Sequence, residues 1–388
     1  MSSNTHETNP AKSRKIYEDR NSDTEVKYFG ETMNISEEVR RLGALGIKSI
    51  QTTFPRGDNF FFSISYFADP LYSFTYLVPL TAGLNTGLAA DMLMVSIMAE
   101  WFNTLLKWLL MDHRPFWWVH ETNVYGKGLR PLLRQTPLTC ETGPGSPSGH
   151  VQGASSLMYV VLQHVIRTFI VSSKKMDGSM KRYVRVTLWT LYTLLMILVS
   201  ISRLYTATHF PHQTLLGLVA GLFTAWLFIE EGQYTLTERW RSASRLQMLL
   251  GGVAMIAVSF GAYWLQRLLG VDPQWSVRLA FKWCEQPDWI HVNTTPLFSL
   301  VRDCGSMFGL AMASPATTRI YKQTHNNIII TMICTLFLMV AFNFATDAVP
   351  TSDVRLFYVC QFILHAVKPY LLFIGIPQVA RFVKQKQH

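Results

Sequence analysis

Three short segments of this 388-residue chain carry residue types that can hold a phosphate group and attack it. Lys107 and Arg114 stand at the end of one apolar run, and their spacing corresponds to two helical turns, which predicts that they point the same way. Ser148, Gly149 and His150 open another apolar run after a turn rich in glycine, proline and serine. Free backbone N–H groups at such a helix start form an anion site.

The third segment, between two further apolar runs, contains Arg203 and His209. The arginine fork can bind two oxygens of a tetrahedral oxyanion, and an imidazole can act as a nucleophile or an acid near neutral pH. Singly, a basic residue at the end of a span is usually interfacial. Convergence of the three segments favours phosphoryl chemistry instead. Because the segments contain no cluster with metal-ligand spacing, we predict no metal and no other cofactor.

Composition indicates that these segments belong to a membrane protein. Charged residues make up only 15% of the chain and hydrophobic residues 49%, whereas soluble proteins carry roughly a quarter of charged residues. We therefore predict an all-α, polytopic membrane helix bundle of about nine transmembrane helices. The apolar runs long enough to span a bilayer lie at about 60–81, 89–111, 149–171, 184–203, 212–230, 247–269, 296–314, 327–346 and 356–380. Asp69 and Pro70 interrupt the first run.

Charge distribution predicts the topology. Residues 1–48 are polar and are expected to form a disordered lumenal tail, followed by a membrane domain over 49–380 and a basic cytosolic tail over 381–388. With nine spans, thirteen lysines and arginines lie on the side of the C-terminus against six in the opposite loops, which places the C-terminus in the cytosol. The net charge of +10 is not arranged as a basic stripe with stacking aromatics, so nucleic acid is not an expected partner.

Together the three segments resemble the signature of the type 2 phosphatidic-acid phosphatase and vanadium haloperoxidase superfamily. The matching residues are Lys107-x6-Arg114-Pro115, Pro147-Ser148-Gly149-His150 and Ser202-Arg203-x5-His209. The flanking stretches are similar to those of the glucose-6-phosphatase catalytic subunits, and the likeness extends over about residues 42–380. These stretches are Arg114–Val119, Cys140–His150, His209–Gln213 and Trp283–Thr295.

This resemblance implies a helical phosphatase core that hydrolyses glucose 6-phosphate in the endoplasmic reticulum lumen, the final step of gluconeogenesis and glycogenolysis. It implies that His209 is the nucleophile of a phosphohistidine mechanism and that His150 is the general acid and base. It also implies functional coupling to a separate glucose 6-phosphate transporter. The implied phosphate ligands are Lys107, Arg114, Ser148, Gly149 and Arg203. The superfamily pattern has an Asp four residues after the second histidine, where this chain has Gln213.

Two other functions share some of these features. A lipid phosphate phosphatase would carry the same three motifs, but the flanking stretches favour the sugar phosphatase. A sugar-phosphate or phosphate transporter could also use membrane-embedded cations, yet it would favour internal repeats and broken helices near the midplane. The chain has no evident repeat, and its motifs lie at one membrane surface.

Four residues near the motifs are candidates for contact with the sugar. Trp117 and Trp118 could face a sugar ring, although aromatic residues at this depth more often form an interfacial belt. Asp69 and Glu100 are ionisable groups within apolar runs, where such groups usually have a function, but packing between helices is the alternative.

The remaining signals concern processing and location. Asn34 begins a glycosylation sequon on the predicted lumenal side, and we expect it to be modified, whereas Asn293 lies too close to the membrane. Lys384 and Lys386 match the cytosolic lysine signal of resident endoplasmic reticulum membrane proteins. The five cysteines form no metal or redox motif. Of these, only Cys140 and Cys284 lie in hydrophilic loops, and a disulfide between them is left open but not favoured.

Overall fold

The protein is described here by a computed structural model that covers residues 33–125, 129–314, 328–350 and 353–386. Within these ranges the chain forms helices and no β-strand, which confirms the all-α prediction. We label the helices α1 to α16. Their bounds are Met33–Thr53, Asp58–Phe67, Pro70–Tyr72, Val78–Leu84, Thr86–Leu110, Pro115–Glu121, Gly149–Val165, Gly178–Tyr205, Pro211–Ile229, Thr237–Arg241, Arg245–Leu268, Trp275–Trp283, Pro296–Ala313, Ile328–Asp347, Val354–Tyr370 and Ile376–Lys386.

Seven helical segments of the described ranges are long and apolar enough to cross a bilayer, which confirms a polytopic membrane bundle. They are Thr86–Glu121, Gly149–Val171, Gly178–Tyr205, Pro211–Ile229, Arg245–Leu268, Ile328–Asp347 and Val354–Val383. The run predicted at 60–81 is not continuous, because the Asp69 carboxylate accepts a hydrogen bond from the Leu71 amide (2.8 Å) and starts a new helix at Pro70. The run at 296–314 forms α13, whose charged Arg302 and Asp303 lower its apolarity.

Part of the segment 1–48, which was predicted to be disordered, is helical. Helix α1 begins at Met33, so the prediction was wrong for residues 33–48, while residues 1–32 lie outside the described part of the chain. Ala44, Ile47 and Gln51 share one face of this helix by their spacing, and all three are buried. Burial of this face explains why a polar sequence remains helical here.

Helix α7 lies at the centre of the part of the bundle that carries the three motifs. It packs against α5, α8 and α9. The approach of α9 is close at Gly217, where a Cβ atom would stand 2.7 Å from the carbonyl oxygen of Ser148. Small residues permit such contact between membrane helices. This packing fixes the start of α7 relative to the segment that contains His209.

A second group of helices adjoins the first through α5. Helix α13 packs against α5, α11 and α15. Cys140 and Cys284 form a disulfide with a Cα–Cα distance of 5.9 Å, a pairing that the sequence did not favour. The bond joins the loop before α7 to the loop after α12, two regions that are far apart in sequence and whose proximity only the fold creates.

Candidate active site

Arg114 reaches the site through a turn rather than along a helix. Helix α5 ends at Leu110, and Met111 adopts a left-handed conformation (φ 43°), so the prediction that two turns of one helix align Lys107 with Arg114 was wrong. Arg114 instead precedes α6 and is fully buried. Its guanidinium donates to the carbonyl oxygens of Gly143 (2.7 Å), Pro144 (3.1 Å) and Thr208 (3.3 Å). These bonds hold the side chain in one orientation.

Arg203 comes from the last turn of α8 and is buried beside α2. Its Nη1 donates to Ser65 Oγ at 2.7 Å, and its Nη2 forms an ion pair with Glu141. Its Nε atom is buried and has no hydrogen-bond partner among the described residues. Arg203 therefore retains a donor that could serve an anion in the site.

The Glu141 carboxylate lies where the three predicted segments meet. Besides its ion pair with Arg203, its Oε2 lies 2.9 Å from Arg114 Nη1. The same oxygen lies 3.9 Å from His209 Nε2, and Oε1 lies 3.6 Å from His150 Nδ1. An anionic group therefore already stands among two of the predicted cations and both predicted catalytic histidines.

Electrostatics keep this carboxylate ionised. Burial by itself would raise the pKa of Glu141, but the positive charges of Arg114 and Arg203 outweigh it and hold the pKa well below its usual range. The same surroundings would favour any oxyanion at this position. Glu141 was missed by the sequence reasoning, although it is the only acidic residue of the Cys140–His150 stretch, a signal that could have identified it.

The fold determines the tautomer of His209. His209 Nδ1 lies 2.8 Å from the carbonyl oxygen of Gly145, which can only accept a hydrogen bond, so Nδ1 carries the proton. Its Nε2 then presents a lone pair towards Arg114 Nη1 (3.3 Å) and Glu141. Burial, and next the charge of Arg114, hold the pKa of His209 well below its usual range, although Glu141 acts in the opposite direction. The ring is therefore neutral at neutral pH and can act as a nucleophile.

Gln213 takes the place of the superfamily aspartate and is itself fixed. Its Oε1 accepts from the Phe210 amide (3.0 Å) and lies 3.3 Å from His209 Nδ1. Its Nε2 donates to Asp112 Oδ2 and to the carbonyl oxygen of His113, both at 2.7 Å. All four contacts agree on one orientation of the amide. In the superfamily pattern an aspartate at this position orients the histidine. Here the negative charge lies on Asp112, and the Gln213 amide stands between Asp112 and His209.

Ser148 and Lys107 complete the predicted phosphate ligands. We expected both the backbone N–H and the hydroxyl of Ser148 to bind phosphate. The N–H donates to the carbonyl oxygen of Gln213 (3.0 Å), so the hydroxyl is the donor that remains available at this position. Ser148 Oγ is buried and has no partner within the described ranges. Lys107 Nζ lies 3.8 Å from the point where a Cβ atom of Gly149 would stand. Lys107, Ser148 and the helix start at Gly149 therefore adjoin each other.

The segment after α12 supports the loop that carries Glu141. The His291 amide donates to the carbonyl oxygen of Cys140 (3.0 Å), and Thr142 Oγ1 donates to the carbonyl oxygen of His291 (2.9 Å). Thr294 Oγ1 accepts from the Thr142 amide (2.9 Å). Together with the disulfide, these bonds hold the loop against the segment that carries His291 and Thr294, for which the sequence offered no role.

The four candidate sugar contacts fall into different environments. Trp117 and Trp118 are buried in a hydrophobic cluster with Phe210, and Trp117 Nε1 donates to His113 Nδ1 (3.1 Å). Asp69 caps helix α3. Glu100 is buried between Gly153 of α7 and Arg302 of α13. No group of three or more His, Cys, Asp or Glu side chains among the described residues is arranged to hold a metal ion.

The sequence is similar to those of known phosphatases over the region that forms this site. Residues 88–235, which include all three motifs, match the family model of the PAP2 superfamily. Human glucose-6-phosphatase 2 is 35% identical over 345 residues, covering 87% of this chain and 95% of the relative. Mouse glucose-6-phosphatase catalytic subunit 1 is 32% identical over 363 residues, covering 92% and 98%. The subunit from Haplochromis nubilus is 38% identical over 264 residues, covering 68% and 72%.

No solved structure matches the chain significantly. The matches to curated proteins, in contrast, extend over nearly the whole length of several relatives. Because the likeness includes the motifs and the surrounding membrane helices, the chain belongs to the glucose-6-phosphatase family within the PAP2 superfamily.

Proposed function

We propose that this protein hydrolyses glucose 6-phosphate to glucose and inorganic phosphate through a phosphohistidine intermediate. The observation that carries the proposal is the position of the Glu141 carboxylate, an oxyanion held by Arg114 and Arg203 beside both His150 and His209. A phosphate group bound to the same arginines would lie next to a nucleophile and an acid. Family membership supports a phosphate monoester as the substrate.

In the first step, His209 Nε2 attacks phosphorus and the bond to the sugar oxygen breaks. The attack on a dianion requires that cations first neutralise the phosphate oxygens, which Lys107, Arg114 and Arg203 can do. Ser148 Oγ, which has no partner in the described part of the chain, can donate to one of these oxygens. Protonated His150 gives its proton to the sugar oxygen, so that glucose leaves as a neutral alcohol.

In the second step, water attacks the phosphohistidine and the P–N bond breaks. His150, now neutral, takes a proton from this water, and inorganic phosphate is released. His209 returns to the neutral tautomer with its proton on Nδ1, which Gly145 holds at 2.8 Å. The Gly145 carbonyl therefore keeps Nε2 as the reactive nitrogen in both steps.

The cellular location forms part of the proposal. We place the protein in the endoplasmic reticulum membrane with the active site in the lumen and the C-terminus in the cytosol. The Cys140–Cys284 disulfide supports this, since stable disulfides belong to oxidising compartments and this one braces the site. A lumenal site would require a separate transporter to deliver glucose 6-phosphate made in the cytosol.

Glycosylation and cysteine labelling test the location. A glycosidase-sensitive mobility shift that is lost in Asn34→Gln would support a lumenal N-terminus. In cells whose plasma membrane alone is permeabilised, Cys284, which is only partly buried, should react after reduction with a membrane-impermeant maleimide only once the reticulum membrane is also opened. Reaction before that step would overturn the lumenal site.

Phosphate release in detergent tests the activity itself. The purified chain should release phosphate from glucose 6-phosphate with a higher kcat/KM than from phosphatidate, and His209→Ala should release none from either. Faster turnover of phosphatidate would favour the lipid phosphatase. Binding of glucose 6-phosphate without hydrolysis would favour the transporter.

A further inference from the structure

Glu100 is a buried carboxylate with one oxygen engaged and the other free. Its Oε2 accepts from Arg302 Nη2 at 3.2 Å, and Arg302 Nε donates to Asp303 Oδ1 at 2.9 Å. Only 6% of Glu100 is exposed, and its Oε1 has no hydrogen-bond partner among the described residues. Because an unsatisfied buried acceptor is costly, this oxygen needs a donor that the described residues do not supply.

The free oxygen faces the helix that carries His150. It lies 3.2 Å from the point where a Cβ atom of Gly153 would stand, and Pro70 Cγ lies 3.3 Å from the same point. One turn earlier on α7, Lys107 Nζ lies 3.8 Å from the corresponding point at Gly149. Positions four residues apart are separated by about 6 Å along a helix. The lysine and the carboxylate therefore stand in a row along one glycine-lined side of α7.

In the proposed reaction, the leaving group would lie beside this row. His150 and Gly153 are three residues apart and so lie on neighbouring surface of the helix. An oxygen protonated by His150 therefore belongs to a group that continues towards Gly153 and the Glu100 carboxylate. The rise of about 6 Å between Gly149 and Gly153, beside which Lys107 and Glu100 stand, is comparable to the distance between phosphorus and a ring hydroxyl of a hexose 6-phosphate.

We propose that Glu100, positioned by Arg302 and Asp303, accepts a hydrogen bond from a ring hydroxyl of the sugar and selects hydroxyl-bearing leaving groups. This inference rests on the proposed function. A hydrogen bond from a hydroxyl to a carboxylate is charge-assisted and is among the stronger ones. A site built to bind a hydroxyl also discriminates against esters that lack it, because its buried acceptor would then stay unpaired. Diacylglycerol and nitrophenol offer no such hydroxyl at this distance.

The test compares two substrates in three variants. For Glu100→Gln, we expect kcat/KM for glucose 6-phosphate to fall at least tenfold more than kcat/KM for nitrophenyl phosphate. Glu230→Gln is the matched control, because Glu230 also pairs with an arginine (Arg167, 2.5 Å) but at the opposite end of α7. It should change both values by the same factor. If the amide variant does not fold, Glu100→Asp, which keeps the charge on a shorter side chain, replaces it in the same comparison of the two substrates.

Monodeoxy analogues of glucose 6-phosphate identify the hydroxyl. The wild-type protein should lose at least tenfold in kcat/KM with one analogue, and Glu100→Gln should show no further loss with that analogue. Equal loss on glucose 6-phosphate and nitrophenyl phosphate in both Glu100 variants would overturn the assignment while leaving the proposed function intact. A wild-type protein that hydrolyses nitrophenyl phosphate but not glucose 6-phosphate would instead overturn the proposed function.

Discussion

Arg114 Nη1 and Glu141 Oε2 lie 2.9 Å apart in a buried ion pair, so a carboxylate of the chain itself occupies the anion site. Lys107, Arg114 and Arg203 carry three positive charges in the site. With the negative charge of Glu141, the net charge is two positive, which matches the two negative charges of a phosphate dianion. The carboxylate and the phosphate would therefore compete for the same guanidinium groups.

Removal of this internal competitor should strengthen anion binding. In Glu141→Gln, we expect the inhibition constants of inorganic phosphate and vanadate to fall about tenfold, equivalent to ~1.4 kcal/mol. Glu121→Gln is the control, since Glu121 pairs with Lys282 (2.9 Å) outside the site. Steady-state inhibition measures the effect, and an unchanged or higher constant would show that Glu141 does not compete with phosphate.

Replacement of His209 and of His150 should affect turnover differently, depending on the leaving group of the substrate. His209→Ala removes the nucleophile and should abolish both turnover and the phosphoenzyme trapped by alkaline quench. His150→Ala should lose about two to four orders of magnitude on glucose 6-phosphate but regain part of its rate on nitrophenyl phosphate, which needs no acid. Accumulation of label in His209→Ala but not in His150→Ala would reverse the two roles.

Gln213 should affect kcat more than KM. Gln213→Leu removes one acceptor near His209 Nδ1 but leaves the bond to Gly145, so we expect kcat to fall about tenfold with little change in KM. A proportional rise in KM would instead mean that the Gln213 side chain acts on phosphate binding.

Activity should persist into mildly acidic solution. A histidine whose pKa is lowered stays neutral to lower pH, so the acid limb of kcat/KM that reports His209 should lie below about pH 6.5. Because Glu141 raises the pKa of His209, Glu141→Gln should move this limb to still lower pH. The substrate titrates identically in both proteins, so the difference between the profiles isolates the enzyme group. A limb that moves upwards would contradict this electrostatic assignment.

Loss of the disulfide should destabilise the two loops that it joins. Cys140→Ser with Cys284→Ser should lower stability by at least about 2 kcal/mol, because the bond closes a long segment of chain. Thermal unfolding in detergent measures the change, and Cys360→Ser, which removes a free cysteine, is the control. Equal midpoints for the double variant and the wild type would show that the hydrogen bonds at His291 suffice.

The sequence by itself determined the class of the protein and most of its chemical groups. Low charge and long apolar runs require a helical membrane bundle, since only internally bonded helices satisfy the backbone in lipid at this composition. Lys107, Arg114, His150, Arg203 and His209 were recognisable from residue type and local spacing, which depend on short-range order. Helix α1 was underestimated because its stability comes from the burial of Ala44 and Ile47, a tertiary effect.

Only the tertiary structure decided how these groups are connected. The Gly145 carbonyl that fixes the tautomer of His209 is 64 residues away in sequence, and Glu141 meets Arg203 across 62. The sequence also could not predict which oxygen of Glu100 lacks a partner, because the other oxygen pairs with Arg302, 202 residues further along the chain. Such contacts follow from helix packing and loop closure, for which no local pattern of residues exists, and they turn a set of plausible side chains into an arrangement with defined donors, acceptors and charges.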